Sequence, residues 1–204
     1  MPVTQITLLK GYEPEVQARL IGRVSNAVRS VIPAQEAGTT TFIQEVSAYR
    51  RDARVMLPGD GNTALTDAET LVRGFLQAMQ SRDLGAAAGY LANDFEMTFP
   101  GGQRMTRLQE LVDWARNRYT RIEKTYEGFD QCWLGDTTVV YCFGTLSGQW
   151  TDGSEFAGIR FIDRFEVRGQ RIQRQDVWND LAESRARSFT PASAQAQPGG
   201  AQTA

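Results

Sequence analysis

Histidine is absent from this chain of 204 residues. Histidine is the commonest general base in enzymes and a frequent zinc ligand, so its absence excludes a serine–histidine triad and most zinc sites. Acid–base chemistry must then come from carboxylates, tyrosines, arginine-assisted groups or a chain-terminal amine. We expect neither a metal site nor a cofactor.

Strong charge and long apolar runs are also lacking. The formal net charge is −2, which gives no electrostatic reason to bind nucleic acid or an anionic membrane. No apolar run is long enough to span a membrane, and no secretory signal is visible, so we expect a cytoplasmic protein. The two cysteines, Cys132 and Cys142, are expected to be buried free thiols rather than a disulfide.

The patterns that are present predict an α+β protein with two domains. Residues 1–57 read as strand, helix and strand, and residues 58–65 as a turn-rich linker. Residues 66–185 read as helices followed by a long antiparallel meander, with strands predicted at residues 125–134, 137–149, 155–167 and 171–181. Residues 186–204 are rich in Ser, Ala, Gln, Pro and Gly, and we expect a disordered tail.

The first domain opens with Pro2 at the start of a strand-like run. Pro14 begins a helix, and a β-branched stretch from Thr39 to Val46 forms the second strand. Two strands joined in this way pair in parallel with a right-handed crossover. The unit is too small to bury both its faces alone, so we expect a homo-oligomer.

Pro2 becomes a rigid secondary amine at the chain terminus if Met1 is removed. A terminal amine titrates near neutrality, and burial in an apolar pocket disfavours its charged form. Such a nitrogen can move a proton between two carbons or attack a carbonyl group. If Met1 stays, the nitrogen is an amide without useful basicity.

With Pro2, the Gly11 turn and the helix register from Leu20 to Ser25, the first quarter of the chain resembles the oxalocrotonate tautomerase family. The resemblance implies a catalytic Pro2 in sites formed between subunits. Two arginines of the family pattern are replaced by Tyr12 and Thr40, so a dicarboxylate substrate is not expected. The substrate-binding candidates are Tyr12, Thr40, Tyr49, Arg51 and Arg54. The two arginines either stabilise an enolate or form a solvated surface cluster.

Residues 66–183 resemble the nuclear transport factor two-like cone fold in its SnoaL-like branch. The motifs that carry this resemblance are Phe75…Arg82-Asp83-Leu84, Leu91-Ala92-Asn93-Asp94-Phe95, Phe161-Ile162-Asp163-Arg164-Phe165 and Asp176-Val177-Trp178-Asn179-Asp180. The fold implied is a set of helices on a bent antiparallel sheet. That fold hosts enzymes, carriers and dimerisation modules alike.

Within this fold, the ketosteroid isomerase pattern is kept at one of three positions. Its oxyanion-binding aspartic acid matches Asp163, whereas its tyrosine and its aspartate base match Phe75 and Phe99. Alternation along the strand places Asp163 on the apolar face, where burial favours the neutral form of a carboxyl group. The alternative is a structural bridge to an arginine such as Arg174. We expect a pocket for a planar apolar ligand near Asp163, Trp178 and Asp180.

The leading functional prediction is a tautomerase or isomerase that uses Pro2 on a small carbonyl compound. The partner would be a carbonyl or aromatic small molecule, and the second domain would bind ligand or assemble the oligomer. Two alternatives stay open. One is a non-catalytic binding protein whose cone holds an apolar metabolite, and the other is isomerase or cyclase chemistry in the cone, centred on Asp163.

Overall fold

The computed structural model describes residues 1–60 and 64–188, and its contacts divide the chain into two units between Leu65 and Thr66. The first unit contains β1 (Val3–Leu9), α1 (Pro14–Val31), β2 (Thr40–Val46), β3 (Tyr49–Arg51) and β4 (Arg54–Met56). β1 and β2 pair in parallel, from Val3 opposite Thr40 to Leu9 opposite Val46. The predicted strand–helix–strand order and its parallel pairing are confirmed.

The helix of the first unit begins at Pro14, where the missing proline N–H costs no hydrogen bond. No residue of α1 is fully buried, and Val3 and Phe42 are exposed on the strands. Apolar side chains of this unit therefore remain uncovered within one chain.

A hairpin follows the second strand, where only a lead into the linker was predicted. β3 and β4 pair antiparallel, with Tyr49 opposite Met56. Asp52 and Ala53 make the turn at φ values of 49° and 62°. Paired positive φ values suit a two-residue hairpin, but Asn-Gly or Asp-Gly is the usual signal, and Asp-Ala is a weaker one.

The second unit is a six-stranded sheet covered by helices. Its elements are α2 (Ala68–Gln80), α3 (Leu84–Ala88), β5 (Leu91–Phe99), β6 (Gln103–Met105), α4 (Leu108–Arg116), β7 (Tyr119–Leu134), β8 (Thr137–Trp150), β9 (Glu155–Arg168), β10 (Arg171–Asn179) and α5 (Leu181–Ser188). The strand order is β6-β5-β10-β9-β8-β7, and β5 and β10 are the parallel pair. This is the predicted arrangement of helices followed by a long antiparallel meander.

The core of this unit lies between α2 and the sheet. Val72 and Phe75 of α2 are buried, and the Phe75 ring lies 6.0 Å from that of Phe165 in an edge-on contact. Cys142 is buried and Cys132 is exposed, and both are free thiols. The predicted absence of a disulfide is confirmed, and the prediction that both thiols are buried is wrong for Cys132.

The end of the second unit departs from the predicted tail. Residues 186–188 complete α5, which was not predicted, because the stretch after Asn179 reads equally as the end of a strand. The remainder of the predicted tail lies outside the described residues.

Candidate functional site

A cavity of about 500 Å³ lies inside the second unit, between its helices and the inner face of the sheet. Most of its lining is apolar or aromatic and includes Phe75, Leu76, Met79, Phe99, Leu111 and Trp114. This volume and this kind of lining are typical of sites for small organic ligands. We call it the Asp163 cavity, because Asp163 is its one fully buried charged residue.

Asp163 reaches the cavity through the alternation of β9. Phe161, Asp163 and Phe165 are buried in turn, while Ile162 and Arg164 point to the other face. The predicted inward orientation of Asp163 is confirmed. An apolar strand therefore carries a carboxyl group into an apolar space.

The partners of Asp163 come from two other strands. Lys124 Nζ forms an ion pair with Asp163 Oδ2, and Gln175 Nε2 donates to the same oxygen at 3.3 Å. Asp163 Oδ1 is buried and has no hydrogen-bond partner in the described part of the chain. Arg174, which was considered as the partner, donates from Nε to Asp176 at 3.0 Å instead. It cannot face Asp163, because it alternates with Gln175 on β10 and points to the opposite side.

The inner face of β7 supplies the rest of the polar cluster. Ile122, Lys124 and Tyr126 follow one another at every second position and line the cavity. Lys124 Nζ lies 4.5 Å from the centroid of the Phe161 ring, and the Tyr126 ring lies 5.8 Å from the same ring. Lys124 and Tyr126 thus flank Phe161 beside Asp163.

Burial keeps the weak acids of this cluster protonated. Burial raises the pKa of Tyr126 well above its usual range, with smaller contributions from Cys142 and Asp163. Burial, followed by the nearby Asp163, raises the pKa of Cys142 to about 12. Tyr126 is therefore available as a hydrogen-bond donor at neutral pH, and Cys142 is not an activated nucleophile.

Lys124, Tyr126 and Gln175 were not among the site residues that the sequence predicted. The available signal was a lysine at an inward position between Ile122 and Tyr126. A lysine on an apolar face needs a charged partner, and Asp163 was the carboxyl group already placed inside.

Two of the predicted pocket residues do not line the Asp163 cavity. Trp178 is 52% exposed, and Asp180 accepts a hydrogen bond from Arg160 Nε at 2.7 Å. Val177 and Asn179 line the cavity in their place. The prediction grouped neighbours along the chain, whereas successive side chains of β10 point to opposite faces.

In the first unit, Pro2 is half-buried and lines a shallow cavity of about 410 Å³. The lining comprises Met1, Pro2, Ile32, Pro33, Ala34, Gln35 and Gly38. The Thr40 N–H donates to the Pro2 carbonyl oxygen at 3.1 Å. We call this space the Pro2 cavity.

The other candidates of the first unit do not line the Pro2 cavity. The Tyr12 carbonyl oxygen accepts from Gln17 Nε2 at 2.9 Å. Tyr49, Arg51 and Arg54 lie on the exposed hairpin, where Arg51 Nε is 3.4 Å from an oxygen of Asp52. Of these candidates, Thr40 is the one that hydrogen-bonds to Pro2 within the described part of one chain.

Across residues 1–60 and 64–188, no group of three or more His, Cys, Asp or Glu side chains is placed to hold a metal ion. No helix in the same residues has the length and apolarity needed to cross a membrane.

Three solved structures illustrate what the chain resembles. An NTF2-like protein of unknown function from Burkholderia pseudomallei is 18% identical, with a TM-score of 0.50 over 60% of this chain and 97% of that one. A candidate ketosteroid isomerase from Shewanella frigidimarina is 18% identical, with a TM-score of 0.45 over 54% and 94%. A candidate polyketide cyclase from Xanthomonas campestris is 18% identical, with a TM-score of 0.46 over 58% and 94%. At this identity, the first similarity shows the fold alone.

No curated protein matches this chain in sequence. The family model of the SnoaL-like domain matches residues 72–175, which is half of the chain. The match runs from α2 to β10 and contains Lys124, Tyr126, Asp163 and Gln175, whereas the first unit lies outside it. The chain therefore belongs to the SnoaL-like family, with the NTF2-like fold of helices on a curved sheet.

Proposed function

We propose that the second unit is an isomerase or cyclase that transfers a proton at a carbon next to a carbonyl group. The observation that carries this proposal is Oδ1 of Asp163, a buried carboxyl oxygen with no hydrogen-bond partner among the described residues, in a cavity whose lining is mostly apolar. A buried polar atom without a partner costs free energy, and such costs persist where function needs the group. The candidate functions in the names of two similar structures are consistent with this chemistry.

In the proposed reaction, Asp163 Oδ1 takes the proton from the carbon. The electron pair of the broken C–H bond moves to the carbonyl oxygen and gives an enolate. The ammonium group of Lys124 and the phenol of Tyr126 stabilise this oxygen, since both flank Phe161 beside Asp163. Return of the proton to another carbon completes an isomerisation. Attack of the enolate carbon on a second carbonyl group completes a cyclisation, in which the new alkoxide takes the proton.

The test is ketonisation of an arylpyruvate enol by wild type and by Asp163→Asn. Asparagine keeps the shape of the side chain and removes the base, so we expect the rate constant to fall roughly a hundred- to ten-thousand-fold. Lys124→Met should lower it as well, because an enolate stabiliser is lost. The control is Asp180→Asn, which removes an exposed carboxylate outside the Asp163 cavity and should leave the rate unchanged.

Equal rates in wild type and Asp163→Asn, with both proteins folded by circular dichroism, would contradict the proposal. If the enol still binds to wild type without turnover, the cone is a carrier for an aromatic metabolite. That result would favour the binding-protein alternative.

As a second candidate function, we propose proline-based tautomerase chemistry in the first unit. The supporting observation is Pro2 at the head of β1 in a parallel strand–helix–strand unit, with Ile32 and Pro33 beside it in the Pro2 cavity. Val3 and Phe42 are exposed apolar side chains, so we also propose that copies of this unit associate. A neighbouring copy would then bring Tyr12, Tyr49, Arg51 or Arg54 to Pro2 and Thr40. Intact mass tests the requirement that Met1 is removed.

A further inference from the structure

Three arginines line the Asp163 cavity at a distance from Asp163 itself. Arg82 follows α2, Arg116 ends α4, and Arg118 lies just before β7. Apart from Asp163, Glu123 is the one carboxylate among the lining residues. Glu123 already accepts from Arg121 Nη1 at 3.0 Å. This region, which we call the arginine rim, therefore carries an excess of positive charge.

Two of the three guanidinium groups have no carboxylate partner within residues 1–60 and 64–188. Arg116 Nη1 lies 3.4 Å from Asp113 Oδ1, but no carboxylate among the described residues pairs with Arg82 or Arg118. Arg118 lies over the Trp114 ring instead, 4.3 Å from its centroid. This stacking positions a guanidinium group and leaves its N–H groups free to bind an anion.

Arg82 also has an unusual backbone conformation, with a φ of 58°. It follows Ser81, the C-cap of α2, and its N–H donates to the Met79 carbonyl oxygen at 3.1 Å. Glycine or asparagine is the usual residue at such a position, because a larger side chain costs free energy there. The backbone conformation of residue 82 therefore does not explain why an arginine occupies this position.

The arginine rim and the Asp163–Lys124 pair are separated along β7. Four residues of β7 lie between Tyr119, next to Arg118, and Lys124. A regular strand rises about 3.3 Å per residue, and the register shifts between Tyr119 and Arg121, so their Cα atoms are at most about 16 Å apart. Apolar side chains that line the same cavity include Phe99, Leu111 and Trp114. The cavity thus has two separate polar groups and mostly apolar walls.

We propose that Arg82 and Arg118 bind a carboxylate at one end of an elongated aromatic substrate, whose other end reaches Asp163 and Lys124. Planar guanidinium groups bind carboxylates through paired N–H···O bonds, and the mostly apolar walls of the cavity accommodate an aromatic body. This inference rests on the proposed function, because it takes the Asp163 cavity as the substrate site. It names the substrate class as an aromatic acid with a carbonyl group at the far end.

The test measures binding rather than turnover, on the full chain by calorimetry. The probes are biphenyl-4-carboxylate and biphenyl-4-carboxamide, which share their shape and differ in charge. Wild type should bind the carboxylate about tenfold more tightly, a preference of about 1.4 kcal/mol. High salt should reduce this preference, because the rim is open to solvent.

The double variant Arg82→Asn/Arg118→Gln should bind both probes with the affinity that wild type has for the amide. Asparagine is chosen at position 82 because it tolerates positive φ better than glutamine. The matched control is Arg104→Gln, which removes one exposed arginine outside the cavity and should keep the preference. Should the double variant not fold, the comparison of the two probes on wild type still decides.

Equal affinities of wild type for acid and amide would overturn the arginine rim as a carboxylate site and leave the proton-transfer proposal standing. Binding of neither probe would overturn both, because the Asp163 cavity would then not accept an aromatic ligand. Retained preference in the double variant would overturn the assignment to Arg82 and Arg118.

Discussion

At the scale of single residues, Tyr126 shows how burial selects a protonation state. Its phenol lies in the Asp163 cavity beside the rings of Phe129 and Phe161. Burial is the largest cause of its raised pKa, and Cys142 and Asp163 raise it further. The neutral form is the one that can donate a hydrogen bond to an enolate oxygen. The residue can therefore keep this role at alkaline pH, where an ordinary tyrosine ionises.

A pH titration of unfolding tests this assignment. The folded pKa of Tyr126 is raised, so its neutral phenol contributes stability below pH about 10, and this contribution is lost as the pH rises further. The titration covers about pH 9 to 11, one unit on either side of the ordinary tyrosine pKa. Over this range, the free energy of unfolding should fall more for wild type than for Tyr126→Phe. Urea unfolding monitored by circular dichroism gives both curves. Parallel curves for the two proteins would contradict the assignment.

At the scale of elements, the pairing of β7 and β8 is irregular next to the Asp163 cavity, which Tyr126 lines. The register between these strands shifts between Tyr126 and Gly128, next to Gly144 on the facing strand. A Cβ atom on Gly144 would lie 2.0 Å from the carbonyl oxygen of Thr125. Only glycine permits this approach of two backbones, and bulges of this kind bend and twist a sheet.

Gly144→Ala should therefore destabilise the second unit. Relieving a contact with backbone requires the strands to move apart, so we expect the free energy of unfolding to fall by about 3 kcal/mol. Urea unfolding followed by tryptophan fluorescence measures the loss. The control is Gly85→Ala in α3, where a Cβ would lie 3.5 Å from Asp83 Oδ1, an ordinary contact. The control should be as stable as wild type, and similar losses in both variants would contradict the role of the bend.

Sequence patterns located most elements, and their errors have physical causes. β8 and β9 match the predicted stretches to within one residue at each end, since turn residues bound them on both sides. β7 begins at Tyr119, six residues before the predicted start at Thr125. Tyr119 also fits the apolar spacing of the preceding helix, so the two periodicities overlap there.

For the candidate site, the sequence predicts the orientation of Asp163 but not its pairing with Lys124. Alternation within β9 places Asp163 inside, because that information is local to one strand. Its partner Lys124 lies on β7, and β8 separates the two strands. The pairing depends on two registers and on the bulge near Gly144, and none of these can be read from either strand alone.

At the scale of the whole molecule, the chain combines two units, each with its own cavity and its own candidate acid–base group. The Asp163 cavity lies in the unit that the SnoaL-like family model matches, and the Pro2 cavity lies in the other. The turn-rich residues after Met56 suggested a division of this kind. Proton transfer is the proposed chemistry of both candidate groups, so variants are needed to assign an activity to one unit.

Variants in both units separate the two contributions. If the two sites act independently on an arylpyruvate enol, the rate lost in Pro2→Ala and the rate lost in Asp163→Asn should add up to the loss in the double variant. We expect Asp163→Asn to account for most of it, because its cavity is the more enclosed by apolar side chains. Initial rates of the four proteins give the comparison. Complete loss in Pro2→Ala alone would assign the activity to the first unit.

The ion pair between Lys124 and Asp163 also makes the proposed proton transfer depend on the correct register of β7. A slip of β7 by one residue would turn Lys124 outwards and leave the acid alone in its apolar surroundings. Molecules trapped in such a misaligned state would retain nearly all their secondary structure and yet be inert. During refolding, turnover should therefore recover later than the far-ultraviolet circular dichroism signal. The delay is the time that β7 needs to reach its native register.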